Sequence, residues 1–251
     1  MFSESEILKY CFLILAGTLA GIINTLAGGG SSLTLPALLM CGLSSPVANA
    51  TNRVAILFQN ITASAKFKYH NQLKVKPVLH IIIAASVGAI LGSTFATRVN
   101  SVNFDKMLVI VLLFILTMIL LPKRKRKTRK PVPKYIETFL FFGIGIYGGF
   151  IQVGVGFLFI GVLSLVSNNS LIKSNAIKVF IVGLYTFWAL VIFIIADKII
   201  WKYGLVLAVG NSIGAYLGVK LAIRNGEIFV KIILSIAIVF SVLKLFNELN
   251  F

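Results

Sequence analysis

The chain has 251 residues, of which 58% are hydrophobic and 12% charged, and its mean hydropathy is +0.98. These proportions exclude a water-soluble globule, and long apolar runs split by short polar joints exclude an outer-membrane barrel, whose strands alternate every second residue. The net charge of +17 would suggest nucleic acid in a soluble protein, but here it is concentrated in the joints, with no aromatic interleaving or nucleic-acid motif, so nucleic-acid binding is excluded.

In chain order, the opening MFSESEILKY carries acids and a single lysine before the first apolar run, unlike the basic leader of a cleavable signal peptide. The first run is therefore expected to be retained as a span, over about residues 7–27. It ends in Gly28-Gly29-Gly30. A shorter apolar piece, 33–42, is split by Pro36 and is too brief to cross a bilayer as an ordinary helix, which predicts a re-entrant or broken segment. Spans are predicted at about 47–67, 78–97 and 104–121. A joint of Lys66, Lys68, Lys74 and Lys76, and the run from Lys123 to Lys130, mark the cytoplasmic side and favour contact with anionic lipids.

Beyond the basic run the pattern recurs. A span at 135–155 ends in Gly154 and Gly156, 157–166 is short, and spans follow at about 177–196, 203–222 and 228–246. Shifting the chain by 126 residues superposes Ser86, Gly88, Ala89, Leu91, Gly92, Ala96 and Arg98 on Ser212, Gly214, Ala215, Leu217, Gly218, Ala222 and Arg224. The same shift pairs Gly28 with Gly154, Gly30 with Gly156 and Asn49 with Asn175. The fold class expected is an all-α polytopic membrane protein with about eight transmembrane helices and two short re-entrant or broken segments, built as two tandem repeats. The boundaries are 1–121 for the first repeat, 122–134 for a basic cytoplasmic linker and 135–251 for the second. Four spans per half make the repeats parallel about an axis along the membrane normal. If the short segments cross as well, each half has an odd number and the repeats invert.

Asn49-Ala50-Thr51-Asn52-Arg53 enters a span in the first half and Asn175-Ala176-Ile177-Lys178 does so in the second. The basic residue follows its Asn by four positions or three, which on a helix is nearly the same face. A charge at the centre of a membrane span costs at least about 2.5–3.5 kcal/mol and needs compensation. The acids Glu4, Glu6, Asp105, Glu137, Asp197, Glu227 and Glu248 all fall at termini, joints or span ends. Arg53 and Lys178 must then snorkel to an interface, pair with backbone carbonyls, or meet an anion from solution. A helix that starts inside the membrane after glycines also aims a partial positive charge at its entrance, so the runs Gly28-Gly29-Gly30-Ser31 and Gly154-Val155-Gly156 suit an oxyanion or, alternatively, close helix packing. Asn24, Thr25 and Gln152 precede them as neutral donors. Taken together, the candidate substrate-binding residues are Asn24, Thr25, Gly28, Gly29, Gly30, Ser31, Thr51, Asn52, Arg53, Gln152, Gly154, Gly156, Asn175 and Lys178.

Two histidines, His70 and His80, and two cysteines in apolar context, Cys11 and Cys41, supply no metal-ligand set, and no cofactor is indicated. No paired-carboxylate, Ser-His-Asp, Cys-His or Walker arrangement is present in the sequence, so an enzyme is not expected.

The segments GTLAGIINTLAGGGSSLTLPALL and ANATNRVAILFQN, with the weaker copies GIYGGFIQVGVGFLFIGVL and SNAIKVFIVG, resemble the sulfite exporter TauE/SafE family of membrane permeases over nearly the whole chain. The resemblance implies a multi-pass protein of the bacterial inner (plasma) membrane that moves sulfite, sulfonates or related sulfur-containing anions. It identifies the family without the cargo, and Ile177 stands where a Thr would match the first half. The function expected is an anion permease or exporter working by alternating access between the two repeats. The alternative is a non-transporting membrane scaffold or assembly partner.

Overall fold

The computed structural model describes residues 4–104, 106–107, 132–166 and 169–248. The expected span at 104–121 and the basic run from Lys123 to Lys130 lie almost wholly outside these residues. Among the described residues the chain is all-helical. In order come α1 (Glu4–Leu26), α2 (Ser31–Met40), α3 (Ser45–Tyr69), a 3-10 turn (Lys76–Val78) and α4 (Leu79–Arg98). After the undescribed stretch follow α5 (Lys134–Phe150), α6 (Val155–Val166), α7 (Leu171–Ile195) and α8 (Trp201–Glu248).

Four of these helical stretches are long and apolar enough to cross a membrane: Glu6–Leu26, Lys76–Arg98, Leu171–Ile195 and Trp201–Gly226. α3 is long enough but too polar, because its buried face carries Asn49, Thr51, Asn52, Arg53, Gln59 and Asn60. α2 and α6 are the short apolar segments anticipated from the sequence, each a separate helix. Large apolar side chains such as Leu15, Leu19, Ile83, Leu91 and Phe139 point outward while polar ones are enclosed, the distribution that lipid around the helices favours and water does not.

The helix breaks have local causes. α1 closes when the Ala27 and Gly28 amides both donate to the Ile23 carbonyl (2.7 and 3.2 Å), and Gly28 turns the chain with φ +97°, a conformation that costs glycine little. In the second half Gly154 (φ +70°) occupies the matching place. α2 ends when Leu43 N–H returns to the Leu38 carbonyl (3.3 Å) across Gly42, with φ +94°, a left-handed C-terminal cap. Gly226 (φ 74°, ψ −169°) bends α8.

Glycine-lined contacts fix how the helices run. Gly210, Gly214 and Gly218 of α8 pack against Ile14, Thr18 and Ile22 of α1, in that order, so the two helices are parallel. Gly145 and Gly149 of α5 pack against Ala85 and Ala89 of α4, also in parallel. α3 lies along α8 in the same direction, with Gly204 at Val54, Asn211 at Gln59 and Tyr216 at Lys66. Against α7 it runs the opposite way, with Phe193 at Arg53 and Gly183 at Asn60. The helices α3 and α7, which the 126-residue shift aligns, are therefore antiparallel. That corrects the parallel arrangement expected from four spans per half. The cause is the short helix: α1 and α3 point the same way, so α2 and its flanking loops return the chain between them.

Candidate functional site

The amide and the cation on α3 reach the C-terminal end of α5. Asn49 Nδ2 donates to the Phe150 carbonyl (2.9 Å), Arg53 Nη2 to the Gly149 carbonyl (2.9 Å) and to Asn49 Oδ1 (3.5 Å), and Arg53 Nη1 to the Gly148 carbonyl and Gln152 Oε1, each at 2.5 Å. The guanidinium carbon lies 5.4 Å from the Phe193 ring centre, and no part of the residue is exposed. On α7, Asn175 Nδ2 donates to the Leu26 carbonyl (2.8 Å), and Lys178 Nζ donates to the Asn24 carbonyl (2.8 Å), the Thr25 carbonyl (3.3 Å) and Asn175 Oδ1 (2.8 Å). Each Asn–cation pair thus closes the last carbonyls of the helix that opens the other half, Gly148 to Phe150 in one case and Asn24 to Leu26 in the other.

This pairing explains how two cations persist in the interior without a carboxylate. The last carbonyls of a helix have no intrahelical donors and carry the negative end of the macrodipole. Among the described residues the ion pairs are His80–Glu137 and Lys202–Glu6, both at helix ends. A helix C-terminus supplies roughly half an elementary charge, so each site keeps an excess of positive charge after capping.

The two breaks meet. A Cβ placed on Gly28 would lie 2.4 Å from the Gly156 Cα, and one on Gly156 would lie 2.2 Å from the Gly28 Cα. Backbone crosses backbone there, and the helix starts of α2 and α6 leave from the crossing. Gly29 packs on the Phe157 ring and Gly30 on the Ala20 carbonyl, so these two glycines serve close approach. Ser31 is buried at the start of α2.

The candidate residues therefore fall into groups. Asn24, Thr25, Asn175 and Lys178 gather at the end of α1; Arg53 and Gln152 gather with Asn49 at the end of α5; Gly28 and Gly156 form the crossing, beside Gly29, Gly154 and Gly30. Asn24 and Thr25 take part through their carbonyls, not through the side-chain donation expected of them, and the Thr25 hydroxyl is buried without a partner. Gln152 accepts from Arg53 with φ +66°, a left-handed conformation that costs a non-glycine residue about 1–3 kcal/mol. Thr51 belongs elsewhere: its Oγ1 accepts from the Ile200 amide (3.0 Å) at the start of α8. Asn52 is buried with its Oδ1 unpartnered. Sequence reasoning missed the carbonyls of Gly148 and Gly149 and the fully buried Tyr185 packed against Gly148. The signal for the carbonyls was the apolar run that stops at glycines, since a helix ending inside the protein must find donors.

A family model described as "Sulfite exporter TauE/SafE" matches residues 13–245. The chain belongs to the sulfite exporter TauE/SafE family. Family relatives include a "Probable membrane transporter protein" of Haemophilus influenzae, 29% identical over 87% of this chain and 87% of its own length. Another of the same description from a Sinorhizobium species is 28% identical over 90% of this chain and 89% of its own. One from Escherichia coli K12 is 28% identical over 86% and 81%. No solved structure matches the chain. A TauE/SafE protein with these helices is a multi-pass membrane protein whose relatives are named as transporters, and nothing in that assignment specifies the cargo.

Proposed function

We propose that this protein is a transporter of a small oxyanion, of the sulfite or sulfonate class, in the bacterial inner membrane. The observation that carries the reading is the pair of buried cations, Arg53 and Lys178, each left with surplus positive charge because a helix end and not a carboxylate faces it. The start of α2 at the Gly28–Gly156 crossing adds a second source of positive potential. The family and the names of its relatives favour transport over a scaffold, and sulfur-containing cargo comes from the family description alone.

The chain works as two repeats, 1–121 and 135–251, joined by the basic linker 122–134. They are inverted about an axis in the membrane plane, as the antiparallel α3 and α7 favour. If the short segments cross, the spans expected from the sequence at about 104–121 and 228–246 bring each half to five passes. The end of α3, the part of α8 that leads up to Gly226 and the start of α7 bring Lys66, Lys68, Lys220 and Lys173 to one face, which the positive-inside rule makes cytoplasmic. Such inverted folds place substrate near the midplane, where the broken helices meet.

The test is uptake of labelled sulfite into proteoliposomes, with unlabelled sulfate and methanesulfonate as competitors, in the native protein, Arg53→Gln and Lys178→Gln. Saturable uptake that falls in the variants is the expected result. Absence of uptake by the native protein refutes the oxyanion reading, and unchanged uptake in both folded variants refutes the site.

A further inference from the structure

The two cations are held alike but not spent alike. An ammonium offers three N–H donors, and Lys178 gives all three, to Asn24, Thr25 and Asn175. A guanidinium offers five. Arg53 gives four, two from Nη1 to Gly148 and Gln152 and two from Nη2 to Gly149 and Asn49, while its Nε is buried with no partner. Beside it the Tyr185 hydroxyl is also fully enclosed and also unpartnered. Tyr185 is seated on Gly148, where a Cβ would lie 2.8 Å from its Oη. The Gln152 side chain reaches toward the phenol oxygen, yet the hydroxyl has no partner at hydrogen-bond distance and angle. Buried donors left open cost stability and are uncommon in folded proteins. Here one charged and one neutral donor stay open beside Gly148, whereas at the Lys178 pole the ammonium has no open donor and the open group is the neutral Thr25 hydroxyl.

The backbone makes the same distinction. The capped helix ends correspond by a shift of 124 residues, Leu26 with Phe150, whereas the turning glycines correspond by 126, Gly28 with Gly154. The second break is therefore longer by two residues, and the added length includes Gln152, held left-handed and 2% exposed with its amide oxygen on Arg53. A non-glycine residue kept in that conformation at a buried site is a mark of a functional position. The first break has no such residue.

We infer that the poles divide the work, on the reading that the protein carries an oxyanion: Arg53 and Tyr185 donate to the anion, with Gln152 orienting the guanidinium, and Lys178 caps α1 with all of its donors. The ligand class is an oxyanion with two acceptor oxygens on one face, one for the Arg53 Nε–H and one for the Tyr185 O–H. Tyr185 thus sets affinity, although the repeated motif does not include it.

The deciding experiment measures KM and Vmax for labelled sulfite in proteoliposomes together with the thermal unfolding midpoint of the purified full-length protein. Tyr185→Phe removes only the hydroxyl. It is expected to raise KM about tenfold or more, the scale of a hydrogen bond to a charged group, with the unfolding midpoint unchanged or higher. Thr186→Val, which removes the adjacent buried and unpartnered hydroxyl, is expected to leave KM unchanged. Lys178→Gln is expected to lower the midpoint, and its uptake falls with the loss of the α1 cap. If it does not fold, that agrees with a cap, and Tyr185→Phe decides alone. An unchanged KM in Tyr185→Phe overturns the inference, as does an equal KM rise in Thr186→Val. If the native protein moves neither sulfite, sulfate nor methanesulfonate, the transport reading falls and takes this one with it. A responsive native protein with an indifferent Tyr185→Phe removes only the division of work.

Discussion

Replacing glycines one at a time tests whether the two broken elements cross as the structure has them, because conformation and space separate cleanly at three positions. Gly42 has φ +94° with nothing within 4 Å of an added Cβ, so Gly42→Ala suffers only the left-handed conformation, about 1–2 kcal/mol, less about 0.4–1 kcal/mol regained from a stiffer unfolded chain. Gly156 has a helical backbone but would place its Cβ 2.2 Å from the Gly28 Cα, so Gly156→Ala suffers only the collision. Overpacking costs about 1–3 kcal/mol where side chains can shift, and here the obstacle is backbone, which yields only if two helices separate. Gly28→Ala combines φ +97° with a 2.4 Å approach to Gly156, for a total above about 3 kcal/mol. Unfolding in mixed dodecylmaltoside and SDS micelles, followed by tryptophan fluorescence, gives the order: Gly42→Ala least, Gly156→Ala next, Gly28→Ala most. Since the two collisions are one contact, the Gly28→Ala/Gly156→Ala double variant should cost less than the sum, by about 0.5–3 kcal/mol. A Gly28→Ala protein no weaker than Gly42→Ala, or strict additivity in the double variant, would refute the crossing.

Three further outcomes follow from the geometry. With Cys11 and Cys41 replaced, cysteines introduced at Gly42 and Ser170 should react with an impermeant maleimide from opposite faces of the membrane, because α3 and α7 start at opposite ends; labelling from one face would restore the parallel arrangement. Thr51→Val removes the acceptor for the Ile200 amide and should lower stability by about 1 kcal/mol without altering KM for sulfite; a raised KM would return Thr51 to the site. Glu6→Gln breaks the Lys202 pair at 2.5 Å, but Lys202 is exposed and Glu6 partly so, so the loss should stay within about 1 kcal/mol, and a larger loss would mean that the pair is shielded by lipid.

Much of this fold was legible because the membrane imposes simple rules. Apolar runs of about 20 residues marked α1, α4, α7 and the first part of α8, and the shared shift of Gly28–Gly154 and Asn49–Asn175 marked elements that the structure places in matching roles. The polar face of α3 was legible only through its length, since Asn49, Asn52, Arg53 and Gln59 lower its hydropathy below that of an ordinary span. Helix direction was not legible from composition, because a ten-residue helix looks the same whether it returns the chain or folds back beside its own start. The partners of Arg53 and Lys178 were hidden for a different reason. They are carbonyls, and every residue has one, so the sequence shows the donor and leaves the acceptor anonymous; Tyr185 was likewise one aromatic among the apolar residues of a span.

The capping pattern also decides which pieces can move against each other. α1 and α8 are joined along glycine faces, as are α4 and α5, and in each case the partners come from different halves of the sequence. α3 lies along α8 in the same direction. A rocking motion of residues 1–121 against 135–251 would tear these closest contacts, where backbone touches backbone and no side chain can relax. The cheaper division runs between α1, α3 and α8 on one side and α4, α5 and α7 on the other, so that the α3–α7 contact and the Gly28–Gly156 crossing become the moving seam. Both Asn–cation pairs span that seam, Arg53 from α3 to α5 and Lys178 from α7 to α1. Opening the seam on either face must loosen one cap or the other, and an anion that supplies acceptor oxygens to Arg53 while its carbonyls withdraw lowers the cost of that step. On the oxyanion reading proposed above, substrate and helix end then compete for one cation, which ties the binding event to the movement that carries the anion across.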